Sequence, residues 1–403
     1  MNALDELLDL SRKPFNEYLE NGKSSNERII GYLCNHVPEE ILYAAGLIPY
    51  RISSTGCTES GDADAYLSRL NCTFCRSCLQ FAMDGKFDFL DGLVAVNPCD
   101  HMRRLWDVWR LKVGCDFTHM LSLPHRISES AERWYLEETE MLRDSVEKAF
   151  EVEITDEKLA GAIELYNTTR ALLSKIYELR KRKAPPLKGG ELTRILVGVL
   201  RAPRIETNRL LKDLLAEAEN RQGISDYAAR LMVIGGACDS ADFIDVIEDL
   251  GGLVVADTLC FGSRYFWQPV ESDGNPMSSL ATAYLNQPPC AGMVGGERER
   301  LDFALDMAKQ FRVDGIIFQK LRWCDLWGGR GCLHREETKG AGHSVSNARE
   351  RILAERVGTT QNPNSGFSGD GWQLKRRVAG WQLSMVIQLS MRQGPTAIST
   401  STR

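Results

Sequence analysis

The chain has 403 residues, of which 43% are hydrophobic and 26% are charged, as is typical of a globular protein with two or three domains. No run of about 18 apolar residues is present, which excludes a transmembrane helix. The acidic N-terminus lacks the pattern of a secretion signal, and the net charge of −6 argues against nucleic acid or an anionic membrane as the main partner. We therefore expect a cytoplasmic protein that binds neither nucleic acid nor a membrane.

The beginning of the chain predicts an α/β domain. Residues 1–27 are predicted to form an amphipathic N-terminal helix followed by a polar linker, NGKSSNE. A buried strand is predicted over 28–33, and a helix then starts at Pro38, where two carboxylates in the first turn favour the helix dipole. Further apolar runs at 47–52 and 89–96 are typical of buried strands. We assign this first α/β domain to residues 28–125.

Helical and strand-like patterns also alternate further along the chain. Residues 126–190 are rich in Glu, Lys, Arg and Leu at helical spacing and predict a helical segment. Predicted strands at 231–234, 251–256 and 313–318, with helices between them, define a second α/β domain over 191–329. We therefore predict an α/β protein in which two Rossmann-like parallel-sheet domains are joined by a helical segment.

The tail, residues 330–403, differs in composition from everything before it. It has 11 Lys and Arg against 5 Asp and Glu, a balance of +6, whereas the preceding residues have 38 and 50, a balance of −12. Its apolar residues show little periodicity. We predict that this tail is irregular and disordered.

The 12 cysteines are the main chemical signal. In a reducing compartment, clustered cysteines indicate metal or redox chemistry rather than disulfides. The segment Cys72-Thr-Phe-Cys75-Arg-Ser-Cys78 resembles part of a ferredoxin cluster motif, but the fourth cysteine followed by proline is missing. Zinc fits less well because only one close group of cysteines is present. Buried or reactive thiols are the alternative interpretation.

Two other cysteines follow predicted strands. Cys99 lies just after the strand at 89–96, and Cys324 lies after the strand at 313–318. In open α/β sheets, ligands bind beyond the carboxyl ends of the strands, so both thiols are expected to converge with one from the close group. A single cysteine in such a position is more often a small buried residue than a ligand.

Weaker candidates lie near these cysteines. His101 is a possible proton donor, although a solvated histidine at a helix start is the commoner case. The turn at Gly235-Gly236 could receive a phosphate, or could be an ordinary strand–helix turn. The chain has no GxxxxGK[ST] motif, so we do not expect it to hydrolyse ATP itself.

Taken together, these segments resemble one family, the iron–sulfur subunits of 2-hydroxyacyl-CoA dehydratases, such as the 2-hydroxyglutaryl-CoA dehydratase D-component, and of ATP-dependent benzoyl-CoA reductases. The resemblance covers about residues 25–329. Its motifs are IGYLCNHVPEEILYAAGLIP from Ile30, FDFLDGLV from Phe87, NPCD from Asn97, GGLVVAD from Gly251, GSRY from Gly262, DGII from Asp314 and WCD from Trp323.

The resemblance implies a cofactor, partners and a reaction. Each subunit of the family holds a [4Fe–4S] cluster on three cysteines, which we transfer to Cys72, Cys99 and Cys324; Cys75 and Cys78 depart from the family pattern and remain alternatives to Cys72. A paralogous second subunit, an ATP-hydrolysing iron–sulfur activator and an acyl-CoA substrate are implied. A dehydratase forms a ketyl radical that expels water, whereas a benzoyl-CoA reductase keeps the electrons in the aromatic ring. A ferredoxin-like or stand-alone electron carrier is the remaining alternative.

The resemblance stops after Gly329, and a shift of reading frame accounts for this. When Thr359–Asp370 is back-translated and read one nucleotide downstream, the degenerate codons admit QLKTRIQAFLEM, a motif expected in the family. The same shift over Leu333–Asn347 admits YIEKKLKEQGIPFLM, an amphipathic helix followed by an apolar strand. We therefore hypothesise a frameshift near Gly329, either real or introduced in sequencing, which leaves the second domain without its closing helix and strand.

Overall fold

The computed structural model describes residues 2–271 and 274–328, together with the backbone of three strands at 344–352, 372–378 and 381–387. Within these residues, every helix is too short or too polar to cross a bilayer.

Two helices precede the first sheet, α1 (Ala3–Arg12) and α2 (Glu17–Ser24). Asn16 caps α2 by accepting hydrogen bonds from the amides of Tyr18 and Leu19. Helix α2 includes residues 21–24, which the sequence pattern assigned to a polar linker. The apolar face of α1 packs on the helices that lead to the second sheet, so the start of the chain contacts that half of the molecule.

The first sheet contains four parallel strands in the order β2-β1-β3-β4. Its inner strands are apolar runs, and all five residues of GLVAV in β3 are buried, as expected for a parallel sheet covered on both faces. Strand β4 was not predicted because its middle three residues are only half-buried, so FTHML has no continuous apolar run. The strands are β1 (Ile29–Tyr32), β2 (Ile48–Arg51), β3 (Gly92–Val96) and β4 (Phe117–Leu121).

Three helices flank this sheet, and two of them begin next to cysteines. They are α3 (Glu39–Ala44), α4 (Thr73–Met83) and α5 (Asp100–Val108), which continues as a π-helical turn over Trp109–Val113. Short 3₁₀ turns occupy Ala63–Ala65 and Leu179–Lys181.

The predicted helical segment is present and leads into the second sheet. It consists of α6 (Glu129–Phe150) and α7 (Asp156–Glu178), and is followed by α8 (Gly189–Val199) and α9 (Arg204–Asn220). Two buried ion pairs attach α3 to these helices, Glu40 with Arg170 of α7 and Glu39 with Arg204 of α9. These pairs fix α7 and α9 against the first sheet.

The second sheet has the strand order β6-β5-β7-β8-β10-β9, with β6 through β8 parallel and the last two strands antiparallel. The strands are β5 (Ala229–Ile234), β6 (Gly252–Thr258), β7 (Gly315–Lys320), β8 (Ser344–Ile352), β9 (Trp372–Val378) and β10 (Trp381–Ile387). The helices are α10 (Ala241–Glu248), α11 (Ser263–Phe266), α12 (Pro276–Leu285) and α13 (Glu297–Gln310). The predicted α/β class with two parallel sheets is confirmed for residues 2–328.

Within residues 330–403 the structure describes three strands, β8, β9 and β10. Strand β8 pairs in parallel with β7. The sequence of β10, WQLSMVI, alternates apolar and polar residues over its first half, a two-residue period that is typical of a strand but too short to stand out. The remaining positions of the tail lie outside the described residues, and the frameshift itself stays a prediction.

Candidate functional site

A cavity of about 400 Å³ lies where the carboxyl ends of both sheets meet. Its walls come from the segments after β1, β3, β5, β6 and β7, in agreement with the expected placement of ligand sites in α/β sheets. Seven of the 12 cysteines line this cavity. We call them the cavity thiols: Cys34, Cys72, Cys75, Cys99, Cys260, Cys290 and Cys324.

The close group of cysteines is divided by the structure. Cys72 is the N-cap residue of α4, and its backbone amide donates to Nδ1 of His101 over 3.2 Å. Cys75 lies one turn later and also lines the cavity, whereas Cys78 is fully buried in the hydrophobic core and is not among the lining residues. The helical spacing thus turns Cys78 away from the site that Cys72 and Cys75 share.

Cys99 and Cys324 reach the same cavity from strand ends, as the sequence predicts. Cys99 is the N-cap residue of α5 and lies three residues after β3. Cys324 lies four residues after β7 and follows Trp323, whose φ of 63° places it in the left-handed region. A second link joins the two segments, since Nε2 of His101 lies 3.3 Å from a carboxylate oxygen of Asp325.

Three of the cavity thiols influence one another's pKa. The thiol of Cys72 interacts with those of Cys324 and Cys75. The interaction with Cys324 lowers the pKa of Cys72, but the interaction with Cys75 and burial outweigh it, so the pKa of Cys72 is raised. The interaction with Cys72, reinforced by burial, raises the pKa of Cys324, and burial raises the pKa of Cys99 to about 12.

These pKa values decide what the thiols can do. Thiols held neutral at physiological pH are poor nucleophiles, which argues against covalent cysteine catalysis. A metal ion that binds a buried thiol displaces its proton, and the positive charge of the metal stabilises the thiolate that burial alone disfavours. Two buried arginines stand near the thiols: Arg51 lines the cavity, and Nη2 of Arg264 donates to Sγ of Cys260 over 2.8 Å. Nε of each arginine has no hydrogen-bond partner within the described part of the chain, so both guanidiniums suit an anionic group in the cavity.

The type of metal group follows from the arrangement of the donors. In the residues that the structure describes, no three thiol, imidazole or carboxylate groups are close enough to hold a single metal ion. An iron–sulfur cluster differs because each thiolate binds a separate iron, so that the ligands surround a cavity. The all-sulfur donor set fits such a cluster.

The comparison with known proteins agrees with this site. A family model described as 2-hydroxyglutaryl-CoA dehydratase, D-component, matches residues 34–346. The chain belongs to this family. The match begins at Cys34 and ends 17 residues beyond Gly329, so the resemblance extends further than predicted and includes the first residues of β8.

Relatives of the D-component family include subunits of two enzyme types. A benzoyl-CoA reductase subunit of Thauera aromatica is 27% identical over 306 residues, which cover 74% of this chain and 79% of the relative. The (R)-phenyllactyl-CoA dehydratase beta subunit of Clostridium sporogenes is 23% identical over 322 residues, and the beta subunit of (R)-2-hydroxyglutaryl-CoA dehydratase from Acidaminococcus fermentans is 21% identical over 329; each match covers 80% of this chain and 86% of the relative. The predicted class, a subunit of a dehydratase or benzoyl-CoA reductase, is confirmed at the level of the D-component family.

The sequence analysis missed three cavity thiols in this D-component chain, Cys34, Cys260 and Cys290. Cys34 and Cys260 each lie two residues after a strand, so the strand-end rule applied to Cys99 and Cys324 would have found them. Cys290 lies in the loop between α12 and α13, where no local signal marks it.

The structure also places the two weaker candidates, His101 and the turn at Gly235-Gly236. Both ring nitrogens of His101 have protein partners, so the residue positions the Cys72 and Cys324 segments rather than serving as a free proton donor. Gly236 lines the cavity itself.

Proposed function

We propose that this chain is the [4Fe–4S] subunit of a 2-hydroxyacyl-CoA dehydratase, with Cys72, Cys99 and Cys324 as the cluster ligands. The observation that supports the proposal best is the convergence of these three thiols on one cavity from sequence positions far apart. Cys75 is the nearest alternative ligand because it also lines the cavity, whereas the buried position of Cys78 argues against it.

When bound, a cluster with three protein ligands supplies an iron open to Lewis-acid contact with a substrate oxygen, together with a low reduction potential. The protein's own residues prepare the site for it. The cavity walls limit water, and the guanidinium of Arg51 contributes positive charge beside the thiols. His101 holds the amide of Cys72 in place and thereby fixes the direction of that side chain.

The proposed reaction requires partners. Relatives are named as beta subunits, which supports a paralogous second subunit, and the absence of a GxxxxGK[ST] motif from the sequence supports a separate ATP-hydrolysing activator as electron donor. The acyl-CoA thioester enters the cavity between the two sheets, and the complex works in the cytoplasm. Elimination of water through a ketyl radical returns the injected electron.

A benzoyl-CoA reductase subunit is the second candidate function, favoured by the 27% identity to the relative from that enzyme. The thiols serve both reactions equally. A ferredoxin-like carrier using Cys72, Cys75 and Cys78 has less support, because Cys78 lies away from the cavity.

The proposal is tested by iron and acid-labile sulfide analysis of protein purified without air. We expect C72A, C99A and C324A each to lose about four irons per chain relative to the unsubstituted protein. The control is C115A, because Cys115 is a half-buried thiol that bonds to the carbonyl of Phe117 and is not among the lining residues. Iron retention by all three variants would contradict the proposal. With the partner subunit and activator added, conversion of a 2-hydroxyacyl-CoA to the enoyl-CoA identifies a dehydratase, and reduction of benzoyl-CoA identifies a reductase.

A further inference from the structure

Three of the cavity thiols form a second group that the proposed cluster does not use. Cys34, Cys260 and Cys290 line the same cavity, where their charges are coupled to one another and to the buried guanidinium of Arg264. Nη2 of Arg264 donates to Sγ of Cys260 over 2.8 Å, and the same guanidinium interacts electrostatically with Cys290. All three thiols face the cavity and are only partly buried.

This second group has the same construction as the first. Each group takes its three cysteines from three separate segments of the chain, and each combines strand ends with a loop or helix start. The two groups share one cavity, and Cys99 is electrostatically coupled to Cys290 as Cys260 is to Cys324. The cavity therefore presents two sets of three thiols rather than one.

The chemistry of the second group favours iron and sulfide over a single ion. Its donors are all sulfur, which suits a sulfide-bridged iron cluster. The guanidinium of Arg264 is buried, and its Nε has no hydrogen-bond partner in the described ranges, as is suitable beside an anionic metal–thiolate unit.

We propose that Cys34, Cys260 and Cys290 ligate a second iron–sulfur unit, so that one chain holds two units side by side in one cavity. The inference rests on the proposed cluster-binding function and extends it. Ligation replaces one S–H bond by one S–Fe bond at each cysteine and releases one proton to solvent, without a change of oxidation state.

The test is the stoichiometry of iron and acid-labile sulfide in the full chain, after anaerobic reconstitution with ferrous iron and sulfide. We expect about eight irons per chain in the unsubstituted protein. C34A, C260A and C290A should each lose the second unit and keep about half of the iron. C72A, C99A and C324A should each lose the first unit and likewise keep about half. Mössbauer spectra of both sets of variants should retain the signal of the remaining unit. C115A and C238A are the matched controls, since neither thiol lines the cavity.

The outcomes separate the two proposals. About four irons in the unsubstituted protein, with no loss in C34A, C260A and C290A, would overturn the second unit and leave the first intact. No bound iron at all would overturn both. Where an alanine variant does not fold by circular dichroism, the stoichiometry of the unsubstituted protein still decides between one unit and two.

Discussion

The thiols of Cys72 and Cys324 are neighbours in one cavity, although 252 positions separate them in the sequence. The contact joins the N-terminus of α4 on the first sheet to the end of β7 on the second. A backbone hydrogen bond from the amide of Thr73 to the carbonyl of Arg322 supports the same junction. The cavity is therefore assembled only when both halves of the chain have folded and docked.

The first prediction concerns the choice among the close cysteines. C75A and C78A should both retain the iron held by Cys72, Cys99 and Cys324, whereas C72A should lose it, because Cys78 lies in the core and the thiol of Cys75 donates to Sδ of Met102 over 3.6 Å. Iron analysis of the three purified variants checks this. If C75A lost iron while C72A kept it, Cys75 would be the ligand in place of Cys72.

The second prediction concerns His101 as a positioning residue. Its ring joins the amide of Cys72 to the carboxylate of Asp325, so H101A should release iron to a chelator about 10-fold faster, in the range seen when partners of metal ligands are removed. H101N, which keeps a side-chain acceptor, should recover part of the difference. H119A is the control, because His119 lies on β4 and bonds to Ser145. Equal rates for H101A and H119A would remove His101 from this role.

The strand-end rule shows how far the sequence predicts this site. It places Cys99 and Cys324 correctly beside the cavity because an apolar run such as GLVAV has a recognisable end, and the next residues must emerge at the sheet edge. The same rule covers Cys34, because the strand before it is also a recognisable apolar run. Cys290 could not be found this way, since its place depends on how the loop between α12 and α13 packs.

Long-range packing also limits what the sequence predicts about the fold. Helix α12 follows β6 in the chain, yet Leu280 and Leu285 pack in the core cluster that contains β1 and β3. The spacing of apolar residues along α12 does not indicate whether the helix packs on the first sheet or on the second. The partners of buried charges are equally hard to predict from local sequence. The carboxylates at the start of α3 were interpreted as favourable to the helix dipole, whereas the structure pairs both with arginines of distant helices.

The third prediction concerns one of these buried pairs. Glu40 is fully buried, accepts from Arg170 over 2.6 Å and accepts from the hydroxyl of Tyr284 over 2.7 Å. E40Q should lower the free energy of unfolding by about 3–5 kcal/mol, because it leaves the guanidinium of Arg170 buried without its counter-charge. Urea unfolding followed by circular dichroism measures the change.

Two further variants test the physical reason. The double variant E40L/R170M should recover most of the stability, since replacing both charges removes the desolvation cost. R104A is the surface control, because Arg104 and Asp100 form an exposed pair, which should contribute little to stability. An E40Q protein as stable as R104A would mean that the buried pair contributes little.

The last prediction concerns the reading frame of the tail. The sequence of β8, SVSNARERI, contains three charged residues in succession, Arg349, Glu350 and Arg351, although the strand lies between β7 and β10 in the sheet. Parallel strands covered on both faces are ordinarily apolar runs, as GIIFQK of β7 largely is. The shifted frame admits YIEKKLKEQGIPFLM over Leu333–Asn347, which would place the apolar IPFLM where β8 begins.

We therefore expect sequencing of the gene to reveal one gained or lost nucleotide near the codon of Gly329. The protein made from the restored frame should unfold at higher urea concentration than the chain with the present tail, because an apolar strand beside β7 buries surface that a charged strand cannot. A C-terminal truncation after Gly328 serves as the control, since it removes both versions of the tail. Nucleotides that do not encode QLKTRIQAFLEM in the shifted frame would end the hypothesis, and equal stability of the two full-length proteins would show that the present β8 closes the sheet as well as the apolar strand does.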